Sequence, residues 1–547
     1  MKIVIIGGVA GGASAATRAR RLSESAEIVL VERGPDVSFA NCGLPYYIGG
    51  EIADRSKLLI VTPARLRERF NLDVRVRSQV EAIDRGAMMV RIRDLASGRV
   101  YDEPYDKLIL STGAAPIRPE LPGLDLPGIF TLRNLQDMDR IQESIAAGVQ
   151  QAVVIGAGFI GLELVENLVR RGIRTTLVEL QDQILPPLDR EMTTPLVDVL
   201  REKGVELLLG DAAASFSQTS DGLAVKLRSG RELPAQLVIL GVGVRPENQL
   251  AVGAGLDIGP RGGIRINAQL QTSDPDIYAV GDAVETTDFI SQQPVQVPLA
   301  GPANRQGRLA ADHIFGRPVK FRGTQATAIV GLFGKVAACT GAAEKSLRRA
   351  KQPFHAVYVH PAQHAGYYPG AQGMVIKLLF APGTGKVLGA QAVGGEGVDK
   401  RIDVLSVAIQ AKLTVFDLEE MELAYAPQFG SAKDPVNMAG FVASGLLRGD
   451  HPQIDWPTLQ SQLASAAPPF VVDVRTAQEF AAGQLPTAVN IPVDELRARL
   501  AELPTDQPIV AYCQVGQRGY LATRILLQHN FQVVNLSGGY KTYLLWR

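Results

Sequence analysis

The chain has 547 residues, a length that suggests three to four domains at roughly 150 residues each. Its 56 basic side chains equal its 56 acidic ones, and residues 451–547 alone balance at 7 and 7, so no basic surface of the kind that binds nucleic acid is expected. Three cysteines, Cys42, Cys339 and Cys513, exclude a disulfide scaffold and a four-cysteine zinc site and suit a reducing, cytoplasmic compartment. No apolar run reaches 18 residues, so no membrane span is expected. Only Lys2 precedes the first apolar stretch and the arginines follow it, the reverse of a secretory signal. The histidines show no ligand-like spacing, and no metal is assigned.

In chain order, KIVIIGGVAGGASAATRARRL (2–22) and EIVLVER (27–33) read as strand, glycine turn, helix and strand. Gly7, Gly11 and Gly12 are present, Val9 stands at the middle position, and Glu32 closes the unit. QAVVIGAGFIGLELVENLVRRG (151–172) with TTLVEL (175–180) repeats the pattern in full, with Gly156, Gly158, Gly161 and Glu179. This is the βαβ dinucleotide fingerprint: glycines let the backbone approach a pyrophosphate, the helix start supplies N–H groups, and the acid accepts from a ribose hydroxyl. Glu179 would repel a 2′-phosphate, which favours NADH over NADPH; Arg174, close in sequence, weakens that preference slightly. LILSTGAAP (108–116) and LVILGVGVRPE (237–247) read as buried strands running into small-residue turns, and TSDPDIYAVGDA (272–283) as a strand ending at Gly281–Asp282.

Between the fingerprints, SFANCGLPYYIGG (38–50) reads as a structured turn carrying Cys42. Residues 323–447 read only as α+β, with a helix expected at VDKRIDVLSVAIQAKL. RGDHPQIDWP (448–457) reads as a polar boundary, and the remaining residues are again α/β. There Cys513 opens CQVGQR between a strand and a helix, with Arg518 closing the loop. Loop N–H groups, a helix start and a guanidinium favour a thiolate or persulfide anion. Cys339 lies in a strand-like apolar run and is expected in the core.

The motif order resembles the flavoproteins with two dinucleotide-binding domains. The resemblance implies FAD in the first fold, at Gly7, Val9, Ala10, Gly11, Gly12, Glu32, Arg33, Thr112, Gly113, Gly281 and Asp282. It implies NADH in the second, at Gly156, Gly158, Phe159, Ile160, Gly161, Glu179 and Gly243. One cysteine where disulfide reductases usually carry two resembles the single-cysteine branch, and SFANCGLPYYIGG resembles its coenzyme A disulfide reductases. That resemblance implies a tightly bound coenzyme A at Ser14, Arg18 and Arg21, which share a helix face, with Ser38, Asn41, Asn304, Arg308 and Lys433. It also implies that Tyr367 and Tyr425 of the partner subunit in a homodimer point at the Cys42 sulfur. The Cys-x4-Arg spacing of Cys513 and Arg518 resembles rhodanese.

The expected fold class is therefore α/β. It comprises a discontinuous FAD domain (1–115 and 245–322), an NADH domain (116–244), an α+β dimerisation domain (323–448) and a rhodanese-like domain (452–547). The expected activity is NADH-dependent reduction of sulfur–sulfur bonds in coenzyme A persulfide, polysulfide or coenzyme A disulfide, through Cys42. Two alternatives stay open: an NADH oxidase or peroxidase cycling through a sulfenic acid, and a sulfurtransferase relay whose flavin half does not turn over.

Overall fold

A computed structural model describes residues 1–547. Short apolar runs rich in Val, Ile and Leu, with no alternation, form strands buried on both faces, as parallel sheets require. The chain forms two units, Met1–Asp182 with Lys203–Ala326, and Gln183–Glu202 with Thr327–Arg547. No helix is long and apolar enough to cross a membrane.

The first unit holds two five-stranded sheets. One runs Ile277–Ala279, Lys107–Leu110, Lys2–Ile6, Glu27–Val31, Asp73–Arg75; the other runs Glu206–Leu209, Arg174–Glu179, Gln151–Ile155, Leu237–Leu240, Ile129–Thr131. Every pairing in both is parallel. Each fingerprint thus occupies the central strand of its own sheet, with its helix (Ala10–Leu22 and Phe159–Arg170) starting at the carboxyl end. The buried Arg20 donates to the carbonyls of Ser23, Glu24, Phe70 and Asn71, which ties off the end of the first helix.

The second unit holds a five-stranded antiparallel sheet, in which Lys335–Gly341 carries the buried Cys339. Burial pushes that thiol up to about 12, so it belongs to the core. The helix expected near 398 runs Val398–Gln410. A five-stranded parallel sheet closes the chain, ordered Gln453–Ile454, Val533–Leu536, Ile509–Tyr512, Phe470–Asp473, Val489–Asn490.

Two features of the second unit lie beyond the sequence reading. The boundary 448–457 is no free linker: Gln453–Ile454 pairs with Asn535–Leu536, and His451 is buried against Tyr520 with ring centroids 4.5 Å apart. Lys377, with no exposed surface, places its ammonium 2.9 Å from Asp189, 2.6 Å from Glu191 and 2.7 Å from Glu344. Tyr358 completes this cluster by donating to Glu191 at 2.7 Å.

Candidate active sites

Gly7 (φ +97°) and Gly156 (φ +105°) hold equivalent turns; a Cβ on them would lie 2.1 Å from the Ser111 oxygen and 2.4 Å from the Gly241 oxygen. Only glycine fits both the left-handed backbone and the gap. Around Gly158 and Gly113 a Cβ would meet nothing within 4 Å, so the space over those turns is open. Neither fingerprint helix carries an acid in its first turn, which keeps the N–H end free of negative charge. Val9 is the N-cap residue before Ala10, Gly11 and Gly12, and Gly158 the N-cap before Phe159, Ile160 and Gly161.

The two closing acids are wired alike. Glu32 accepts from the Gly8 and Gly34 N–H at 2.8 and 2.7 Å, and Glu179 from the Ala157 and Gln181 N–H at 2.7 and 2.9 Å. Each carboxylate is thereby fixed at the mouth of its turn with acceptor capacity to spare. Arg174 is the exception to the sequence reading. It opens the strand that Glu179 closes, five steps of about 3.3 Å away, so it does not bear on the ribose position.

The remaining residues expected at the flavin also converge. Thr112 donates to the Glu247 carbonyl at 2.6 Å, and the Glu247 N–H donates to Gly113 at 2.9 Å. Gly243 (φ +107°) ends the matching turn of the second fold. Gly281 donates to Gln306 at 2.7 Å and starts a 3-10 turn containing Asp282, whose carboxyl burial pushes up to about 6. Arg33 and Arg133 both pair with Glu247, at 3.2 and 2.5 Å. Arg133 was not singled out from sequence, yet it counters the rise at Asp282 and its carbonyl accepts from Asn41 at 3.1 Å.

Cys42 is exposed and lies in a 3-10 turn, Asn41–Gly43, that runs into a helix at Leu44–Ile48. The segment read as a turn is therefore partly helical; Pro45 at the helix start tolerates the missing N–H. Ser38 (φ +47°) redirects the chain before Cys42. Although the residue is exposed, the chain packed around its Sγ desolvates it and raises the thiol, and Glu163 and Asp282 raise it further. Glu163 was also missed. Burial pushes its carboxyl up to about 7, opposed by the Tyr46 hydroxyl that donates to it at 3.2 Å.

The face expected to take coenzyme A is assembled between two helices, Ala10–Leu22 and Ala300–Ile314. Ser14 donates to Asn304 at 2.5 Å. Arg18 donates twice to Asp312, at 2.8 and 2.6 Å, and Arg308 approaches the same carboxylate at 4.0 Å. Arg21 is exposed beside them. In the second unit Tyr367 and Tyr425 are exposed, with hydroxyls 3.1 Å apart, and Lys433 is exposed on the following segment.

Cys513 is fully buried at the end of Ile509–Tyr512, and Gly516 (φ +95°) caps the helix Gln517–Gln528. Its carbonyl accepts from the Tyr540 N–H at 2.8 Å; a Cβ on Gly539 would sit 2.2 Å from that oxygen. Arg518 makes a bidentate pair with Glu479 at 2.7 and 2.6 Å, so part of the charge expected for the loop is neutralised. Arg475, paired with the buried Asp473, steadies the loop through Gln514 at 3.0 Å.

Three family models match in succession: pyridine nucleotide-disulphide oxidoreductase over residues 1–307, its dimerisation domain over 328–435, and a rhodanese-like domain over 457–545. Coenzyme A disulfide reductase of Staphylococcus aureus (strain bovine RF122 / ET3-1) is 36% identical, over 81% of this chain and 99% of its own. The reduced CoADR-RHD protein of Bacillus anthracis superposes with a TM-score of 0.97 at 47% identity, covering 100% of this chain and 98% of that one. A NAD-dependent persulfide reductase from A. fulgidus gives 0.92 at 36%, covering 99% and 100%. The water-forming NADH oxidase of Lactobacillus brevis gives 0.79 at 29% and covers 82% of this chain and 99% of its own. The chain belongs to the pyridine nucleotide-disulphide oxidoreductases, in the family of the coenzyme A disulfide reductases, with a rhodanese-like domain fused behind it.

Proposed function

We propose that this enzyme uses NADH to reduce coenzyme A persulfide, polysulfide or coenzyme A disulfide at Cys42, with Cys513 carrying sulfane sulfur. The observation that carries the reading is the presence, on one chain, of a lone exposed cysteine beside two dinucleotide folds and a second cysteine between a strand end and a helix start. The match to a NAD-dependent persulfide reductase over 99% of this chain supports it over the oxidase reading, whose relative covers 82%.

The proposed division of labour follows the four domains given above. The fixed carboxylates Glu32 and Glu179 hold the riboses of FAD and NADH, and the open turns at Gly113 and Gly158 admit the cofactors' backbones. The Cys42 thiolate attacks one sulfur of the substrate; the old sulfur–sulfur bond breaks, and the departing thiolate or sulfide takes a proton. Tyr367 and Tyr425 of the partner subunit donate that proton. Exposed Val407, Phe416, Phe429 and Phe441 on the dimerisation domain are apolar surface that a homodimer covers. When bound, FAD and NADH would supply the two electrons that reduce the sulfur–sulfur bond left at Cys42, so one NADH and one proton would turn coenzyme A disulfide into two thiols, or coenzyme A persulfide into a thiol and hydrogen sulfide. Ser14, Arg18, Arg21, Ser38, Asn41, Asn304, Arg308 and Lys433 hold the coenzyme, and the compartment is the cytoplasm.

Anaerobic stopped-flow tests the reading: the NADH-reduced enzyme is mixed with coenzyme A disulfide, coenzyme A persulfide or polysulfide, and flavin reoxidation is timed. Cys42→Ser is expected to abolish reoxidation by all three. Cys513→Ala is expected to slow persulfide and polysulfide turnover while sparing coenzyme A disulfide. Unchanged persulfide turnover in Cys513→Ala, or faster Cys42-dependent reoxidation by oxygen or peroxide than by any sulfur substrate, would sink it.

A further inference from the structure

Asp312 stands out among the acids of the first unit because three guanidiniums converge on it. Arg18 contacts its Oδ1 at 2.6 Å, Arg317 the same oxygen at 3.7 Å, and Arg308 its Oδ2 at 4.0 Å. The Asp312 side chain is 9% exposed and Arg18 13%, whereas Arg308 and Arg317 are each 56% exposed. One buried negative charge thus sits under three positive ones, and the surplus charge faces solvent through the two outer arginines. Arg18 comes from the first helix, Arg308 and Asp312 from Ala300–Ile314, and Arg317 from the turn beyond it, whose N–H donates to the Asp312 carbonyl at 3.0 Å.

We propose that Asp312 is a positioning residue for phosphate recognition and that Arg317 is a further cation of the same face. The ligand is the phosphate groups at the nucleotide end of coenzyme A, and the inference rests on the reading that this face takes that coenzyme. Both Arg18 donors to Asp312, Nε and Nη2, lie in the guanidinium plane, so the carboxylate fixes that plane and leaves the remaining donors of the fork for a phosphate. A long arginine otherwise loses much rotamer freedom on binding, which a buried anchor removes in advance. The carboxylate also lets three like charges stand close together without a ligand. A residue that only stapled the two helices would need Arg18 alone and would not gather the exposed Arg308 and Arg317.

The test compares coenzyme A disulfide with pantethine, the same disulfide without nucleotide or phosphates, as substrates of the holoenzyme. Asp312→Asn is expected to raise KM for coenzyme A disulfide about tenfold, the scale of one charge-assisted hydrogen bond, with kcat and all pantethine kinetics unchanged. Asp312→Glu restores much of the loss, and Arg317→Ala raises the coenzyme A disulfide KM severalfold. An equal effect on both substrates marks Asp312 as merely structural and overturns the proposal, as does no effect on either. Arg18→Ala separates the two levels. If Arg18→Ala leaves the coenzyme A disulfide KM unchanged, the phosphates do not bind this face; if it raises KM while Asp312→Asn does not, only the positioning role fails.

Discussion

The hydroxyl of Tyr46 donates to the carboxylate of Glu163 at 3.2 Å, joining the short helix after Cys42 to the helix of the second dinucleotide fold. The bond works in both directions. It holds Glu163 below where burial alone would set it, and the carboxylate helps push the Tyr46 phenol up to about 12.

Because Glu163 raises the Cys42 thiol, neutralising it lowers the pH at which that thiol ionises. Glu163→Gln is expected to shift the pH profile of Cys42 alkylation in the reduced enzyme to lower pH, by on the order of one unit. Tyr46→Phe removes the bond that lowers Glu163 and moves that group's titration above about 7. Profiles identical to the parent would show that Glu163 does not sense Cys42.

Glu179 is anchored by two N–H groups at the turn, and Arg174 lies at the far end of the strand. Glu179→Ala is expected to raise KM for NADH about tenfold and to narrow the gap between NADH and NADPH. Arg174→Ala leaves both unchanged. Initial rates with each nucleotide decide it.

His451 donates stability with a definite pH window. Burial lowers its imidazole from 6.5 to about 4, so the neutral ring's contribution is complete above about pH 6.5 and lost as pH falls through about 4. The shift corresponds to on the order of 3 kcal/mol. Urea unfolding of the C-terminal domain, followed at pH 7, 5.5 and 4.5, should show a steeper decline in the parent than in His451→Asn. Parallel declines would remove His451 from the account.

Lys377 neutralises part of a trio of carboxylates, of which Asp189 and Glu191 are buried and Glu344 is half-buried. Burial pushes Asp189 up, and the neighbouring Lys377 ammonium, together with the Glu344 N–H and the Gln391 amide, more than reverses this. Lys377→Met strands that charge, at a cost of about 3–5 kcal/mol. A fall in thermal midpoint that shrinks toward acid pH, where the carboxylates protonate, is the expected signature.

What could be read from sequence divides along physical lines. The glycines of both fingerprints were legible because positive φ and a close backbone neighbour admit no other residue. Ser14, Arg18 and Arg21 were legible because helical spacing places them on one face. Asp312 was not, because it meets Arg18 across 294 positions. Glu163 looked like an ordinary polar position of an amphipathic helix; only the packing of Leu44–Ile48, itself too short and irregular to predict, buries it. His451 sat in a polar, proline-bearing stretch, and the strand pairing that buries it joins residues about 80 apart.

The turn Ser537–Tyr540 has two attachments. It steadies the Cys513 carbonyl through the Tyr540 N–H, and it packs on the antiparallel sheet, where the Ser537 hydroxyl accepts from the Tyr358 N–H at 3.4 Å and His360 meets Thr542 at 2.7 Å. Anchorage and reactive loop therefore share one piece of backbone. A swinging arm would have to loosen the loop it means to deliver, so moving the C-terminal domain and altering Cys513 are one mechanical event. For the sulfur carrier proposed at Cys513, that coupling favours collection by a small diffusible thiol over delivery by the domain itself.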